Sequence, residues 1–264
     1  MAARWLTVVL MASCAGCGGG GGGGAPANPR APTQQSAGGL WFAVAGGSSA
    51  TTLMIAETGE LKVTTPPTSS YGPGFGHGAV TVSGSRVEGS FETRAIGSAP
   101  GSAGTELDCT VSGTVSTRAS LQLTTVCVDT AGASTTASLS FMYDARYDTD
   151  SSLAELAGNY TLSINNATNT LNINGDGTLF GMYSNGPRCT LNGTVSIIHP
   201  DFNLYRFDVL FSNCTVLASR YEGAKMTGFA TRNVPGQKAG AFLLLLTGAI
   251  DGRVEFASVL YEPV

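Results

Sequence analysis

Apolar and polar residues alternate with a period of two along most of the chain beyond residue 39, and the alternation breaks at Gly, Asn or Asp. Gly158 to Ile164, Leu171 to Asn174, Thr190 to Ile198, Asn203 to Ser212 and Val254 to Tyr261 are clear cases. Successive side chains of a β-strand point to opposite faces, so this pattern predicts half-buried strands joined by tight turns. Asn174-Gly175-Asp176-Gly177, between two such segments, predicts a hairpin turn, because these residues tolerate positive φ. The apolar run Ala241 to Leu246 (AFLLLL) is too short to cross a bilayer as a helix and reads as a buried strand. No segment keeps a helical period over three turns.

The pattern also repeats. Thr52 to Leu61 (TLMIAETGEL) aligns with Thr170 to Leu179 (TLNINGDGTL), and each follows a Gly-x-aromatic start, Gly39-Leu40-Trp41 or Gly158-Asn159-Tyr160. Cys109 to Ser116 (CTVSGTVS) matches Cys189 to Ser196 (CTLNGTVS) as a third landmark, and each unit then offers a second cysteine, Cys127 or Cys214. On this alignment the first unit carries an insertion from roughly Pro66 to Gly104. The expected fold is all-β: two tandem antiparallel barrel-like units of about eight strands each, spanning 39–150 and 151–264, since closure removes exposed strand edges. A β-sandwich or a single pseudo-twofold β domain is the alternative. The polar stretch Asp144 to Glu155 is the join.

Composition narrows the chemistry. Only 12% of the chain is charged, the net charge is −4, and Lys62, Lys225 and Lys238 are the only lysines. Nucleic-acid and anionic-lipid surfaces both demand clustered Lys and Arg, so neither is an expected electrostatic partner. The cysteines Cys109, Cys127, Cys189 and Cys214 have no short metal-type spacing, and an even count in an exported protein favours disulfides. The duplication then pairs Cys109 with Cys127 and Cys189 with Cys214. No cofactor and no metal site is expected.

Catalytic signatures are sparse. His77 and His199 are each alone, with no G-x-S-x-G serine, and read as loop residues. Asn172-x-Asn174-x-Asp176-Gly177 imitates the opening of a calcium loop, but position twelve is Tyr183 rather than Glu, which favours the turn. Asp144, Asp148 and Asp150 with Arg146 are candidate paired carboxylates or a cation site, and read better as a solvated linker. The sequons at Asn159, Asn166, Asn192 and Asn213 read as Asn- and Thr-rich strands. Tyr71, Phe75 and His77, spaced by glycines inside the apparent insertion, form a candidate recognition loop, since exposed aromatics give contact area at low entropic cost. The chain is therefore expected not to be an enzyme.

The amino terminus supplies an address. Arg4, the apolar Trp5 to Ala12 and the small residues Ala15-Gly16 before Cys17 have the layout of a secretory signal. Ala15-Gly16-Cys17 resembles the lipobox of bacterial lipoproteins, which implies that residues 1–17 hold the signal and the lipidated thiol, Cys17, with Cys14 as the alternative. Gly18 to Gly38 has no apolar period and reads as a flexible tether with a reach of roughly 25 Å. The chain resembles bacterial lipoproteins that carry a duplicated, cysteine-containing small β-barrel unit behind a glycine-rich tether. More loosely it resembles surface lipoproteins of pathogens that raise β-barrels on such a stalk and bind host proteins. The resemblance implies a non-enzymatic, lipid-anchored protein of the bacterial envelope, at the outer membrane on its periplasmic face or at the cell surface. A structural or binding role is expected, through a protein or small-ligand partner; the alternatives are a surface adhesin that binds a host protein, and a carrier of a small apolar ligand inside a barrel.

Overall fold

The computed structural model describes residues 35–43, 51–65, 74–95, 105–164, 167–183, 188–234, 236–250 and 253–264. Cys14, Cys17, Tyr71 and most of the tether lie outside them. Eight strands form the first closed antiparallel barrel in simple meander order: β1 (Gly39–Ala43), β2 (Thr52–Ile55), β3 (Glu60–Thr65), β4 (Gly74–Ser83), β5 (Arg86–Ala95), β6 (Thr105–Ser116), β7 (Ser120–Asp129) and β8 (Ser134–Tyr143). The second barrel repeats that order with β9 (Gly158–Ile164), β10 (Ala167–Ile173), β11 (Thr178–Tyr183), β12 (Cys189–Ile197), β13 (Tyr205–Ser212), β14 (Lys225–Arg232), β15 (Phe242–Ile250) and β16 (Arg253–Pro263). The join is ordered rather than a solvated linker: a 3₁₀ turn at Ala145–Asp148 and the short helix α1 (Leu153–Leu156) connect the barrels, and Tyr147 is fully buried.

The inward faces are filled by side chains. Trp41, Leu53, Ile55, Leu121 and Phe141 pack inside the first barrel, and Tyr160, Leu171, Phe207, Phe242 and Tyr261 inside the second. Burying each such side chain is worth about 1.5–3 kcal/mol. The two units match bond for bond at their starts. Trp41 Nε1 donates to Ala37 O at 2.9 Å, as Tyr160 Oη donates to Leu156 O at 2.7 Å. In the β2–β3 hairpin Gly59 O accepts from Val80 N at 2.9 Å, and in the β10–β11 hairpin Gly177 O accepts from Val195 N at 2.7 Å. The turn expected at Asn174 to Gly177 is such a hairpin: Gly177 N donates to Asn174 O, and Gly177 adopts φ +85°.

That second bond corrects the sequence alignment. Val80 on β4 occupies the place of Val195 on β12, so Gly74, not Cys109, stands where Cys189 stands. Residues 74–95 are no insertion; they are β4 and β5, the counterparts of β12 and β13. Cys109 to Ser116 resembles Cys189 to Ser196 because both strands alternate in and out with a cysteine inward and a threonine outward, a pattern any barrel strand can carry. The disulfides Cys109–Cys127 and Cys189–Cys214 are both present. The first joins directly opposed residues of β6 and β7; the second ties the start of β12 to the loop after β13.

The barrels pack on each other. Leu40, Met54 and Ala56 on the outside of the first barrel meet Leu204, Phe229 and Leu245 of the second, with Tyr147 of the join between them. This explains why β2 is buried at all four positions and why the run Ala241 to Leu246 is nearly all apolar: those strands bury both faces.

Candidate functional site

The strand register lays a continuous row across the outside of the first barrel: Leu40, Met54, Lys62, His77 and Glu92 are direct neighbours on β1 to β5. Phe75 and His77 therefore belong to strand β4, not to a loop, because β4 begins at Gly74 and pairs with β3 on one side and β5 on the other. The glycines that suggested a loop are strand positions where backbone and neighbours pass closely: a Cβ on Gly78 would lie 2.1 Å from Ser90 O.

Barrel two covers part of this row. Lys62, with a side chain only 3% exposed, donates from Nζ to Thr247 Oγ1 at 2.7 Å and lies 3.9 Å from Glu60 and 5.9 Å from the Phe229 ring centre. Glu60 in turn pairs with Arg206, whose guanidinium also lies over Phe229. Arg94 meets Glu255 at 3.1 Å across the same seam. Burial is the main cause that brings the Lys62 amine down to about 8; Glu60 opposes the shift and Arg206 adds to it. His77 is also lowered, first by burial and then by the charge on Lys62. A buried amine of that basicity has nucleophile chemistry within reach, yet it is packed between two barrels and bonded to Thr247. Its work here is to hold the seam.

The other sequence candidates are also tied into structure. Asp144 caps the 3₁₀ turn through Arg146 N at 2.9 Å and pairs with the Arg146 guanidinium. Burial works against its charge, but Arg146 outweighs that and keeps the carboxyl below the ordinary range. Asp148 accepts from Tyr143 Oη at 2.9 Å and pairs with Arg118 at 2.8 Å. His199 stands 4.0 Å from Asp201 and packs on Phe202. Asp176 Oδ1 accepts from Thr178 N and Oγ1, which closes the hairpin turn. His77 lies on the first barrel, and His199 in the β12–β13 loop of the second. A groove of about 500 Å³ at the mouth of the first barrel includes Ser36, Gly38, Glu57 and Val80, with Ser36 Oγ donating to Glu57 at 2.5 Å.

The second barrel carries the same row in the same register, and there it is open. Asn159, Asn172, Phe180, Asn192 and Leu210 are direct neighbours on β9 to β13, at the places of Leu40, Met54, Lys62, His77 and Glu92. Phe180 is 54% exposed and Met182, two residues on, 49%. Asn172 Nδ2 donates to Asn159 Oδ1 at 2.8 Å, and Asn192 Nδ2 donates to Ser212 Oγ at 2.9 Å. Sequence reading passed over this face because Phe180 and Met182 sit in an ordinary-looking strand. The available signal was that both fall on the polar side of the alternation, opposite the inward Leu179 and Gly181.

The fold and this face define a double-barrel protein whose interiors are packed and whose distinctive chemistry lies outside. No protein-family model matches the chain, and no curated protein matches it. Among solved structures it is similar to Aeromonas veronii immune modulator A, with 12% sequence identity, a TM-score of 0.33, and coverage of 85% of this chain and 94% of that one.

Proposed function

We propose that the chain is a non-enzymatic, lipid-anchored protein of the bacterial cell envelope, held through Cys17 or, alternatively, Cys14, and that it binds its partner on the outer surface of a rigid double barrel. The observation that carries the binding role is the exposed Phe180–Met182–Leu210 face. Phe180 and Met182 on β11 and Leu210 on β13 share one outer face of the sheet, and exposed apolar patches rimmed by polar residues mark interaction sites. Filled interiors favour an outer face over an apolar ligand held in a lumen. The carboxylates and amines that suggest catalysis are engaged in caps and seams, which favours binding over turnover. A surface adhesin for a host protein is the same molecule displayed outward.

Anchoring is tested by fractionating cells that express the wild type, Cys17→Ser and Cys14→Ser. The wild type is expected in the membrane pellet, and one of the two variants in the soluble fraction. If the Cys14→Ser/Cys17→Ser double variant still pellets, the anchor reading fails. Protease shaving of intact cells then gives the orientation: loss of the folded domain while a periplasmic control survives means surface display, and protection means the periplasmic face.

A further inference from the structure

We infer that the β10–β11–β12 face of the second barrel is a binding site for a neutral glycan, with Phe180 as the stacking platform and Asn172 and Asn192 as flanking amides; this rests on the binding role proposed above and names its ligand class. The argument begins with what the duplication kept and what it changed. In the first barrel Leu40, Met54 and Lys62 of the corresponding row are no more than 2% exposed, because the second barrel sits on them. At the same register positions the second barrel has Asn159, Asn172 and Phe180. A protein surface covering these amides has to supply each with a partner or lose free energy. Lys62, His77 and Glu92 become Phe180, Asn192 and Leu210, so the row carries no ionisable side chain from Asn159 to Leu210, and its first charge is Lys225, opposite Leu210 on β14.

The remaining chemistry suits a polyhydroxyl ring. Outward side chains between Thr170 and Asn174, Thr178 and Met182, and Thr190 and Thr194 are amide, hydroxyl, aromatic or thioether, and none is ionisable. Phe180 is directly opposite Asn172 on one side and Asn192 on the other, so the two amide-bearing strands stand about 4.8 Å to either side of the one that carries the ring. Each amide spends one N–H on an anchor away from Phe180, Asn159 or Ser212. An asparagine side chain has two N–H donors and a carbonyl acceptor, so each retains a donor and an acceptor for neighbouring hydroxyls. A pyranose laid on the phenyl ring sets its C–H face on the aromatic and turns its equatorial hydroxyls toward the amides. Because the amides are already anchored, little side-chain freedom is lost on binding.

The test uses the full chain in a detergent without a sugar headgroup, on an array of neutral, sialylated and sulfated oligosaccharides. Neutral glycans are expected to bind in preference to the acidic ones. Phe180→Ala is expected to weaken that binding about tenfold or more, and Asn172→Ala and Asn192→Ala about three- to tenfold each. All three sites are on the barrel exterior, and an unchanged thermal midpoint verifies that each variant folds. Binding confined to acidic glycans, binding indifferent to Phe180→Ala, or no glycan binding overturns the inference. A photo-crosslinking residue at position 180 in living cells separates this failure from that of the wider reading. An adduct with a foreign protein, or one of twice the chain mass, replaces the glycan with a protein partner or a second copy and leaves the binding role standing. Absence of both adduct and glycan binding removes the binding role too.

Discussion

Lys62 and Phe180 hold one register position in two copies of a unit, and their different fates show how a neighbour decides the meaning of a side chain. Where a second barrel arrives, the residue is an amine bonded to a threonine; where none arrives, it is an exposed ring. The amine has a measurable signature. Its folded value of about 8 lies below the ordinary 10.5, so below pH 8 folded and unfolded chains are both protonated and the full cost of burying the charge is present. Between pH 8 and 10.5 the unfolded chain keeps a proton that the folded chain has released, and stability rises with pH. Lys62→Met is expected to flatten this rise by on the order of 1–3 kcal/mol, read from urea midpoints at pH 7.5 and 10. An equal rise in the variant assigns the effect to another group. His77 works at the opposite end: lowered below 6.5, it makes stability fall as pH drops through that value. None of this was legible in the sequence, because a seam-facing lysine and a solvent-facing one occupy the same outward phase of a strand.

The strands themselves were legible, because inward and outward phases differ so consistently. The eight-strand count per unit and the closed barrels followed from them. Strand correspondence between the units was not, since Cys109 to Ser116 and Cys189 to Ser196 share a binary pattern while occupying the sixth and fourth strands of their barrels. What identifies true counterparts is a backbone bond, from Val80 to Gly59 and from Val195 to Gly177. These glycines combine positive φ with close approach: a Cβ would lie 2.1 Å from Val80 O at Gly59 and 2.3 Å from Val195 O at Gly177. Gly59→Ala and Gly177→Ala are each expected to cost about 2–3 kcal/mol by chemical denaturation. Gly175→Ala, in the same hairpin as Gly177 but with no atom within 4 Å of the added carbon, is expected to cost under 1 kcal/mol. Similar losses at all three positions would mean the bracket is not what holds the hairpin. The disulfides act at the same scale: closing loops of 18 and 25 residues contributes roughly 3 kcal/mol each in the chain-entropy model.

Taken whole, the molecule is two barrels with a shared wall, and the wall has a keystone. Tyr147 is 1% exposed, stacks on Phe202 of the second barrel at 4.8 Å and meets Tyr143 of the first at 6.3 Å edge-on. The wild type is expected to unfold in a single calorimetric transition, and Tyr147→Ala in two, with a loss of about 3–5 kcal/mol. Two transitions in the wild type would mean that the wall does not couple the barrels. The sequence pointed to a polar join here, and the buried tyrosine inside it went unread because one aromatic in a charged stretch has no period. The seams that close the barrels are short: β1 meets β8 at three register pairs and β9 meets β16 at two, whereas β15 and β16 share nine. Each seam joins a unit's first strand to its last. A ribosome delivers the chain from the amino end, so the first barrel has every strand it needs while the second is still being made. The second stays an open ribbon, with a bare β9 edge, until Glu262 and Pro263 arrive. A stop codon ahead of Glu262 and Pro263 therefore turns a closed barrel into a sheet with a sticky rim, and a ribosome stalled before them has the same consequence for as long as it lasts.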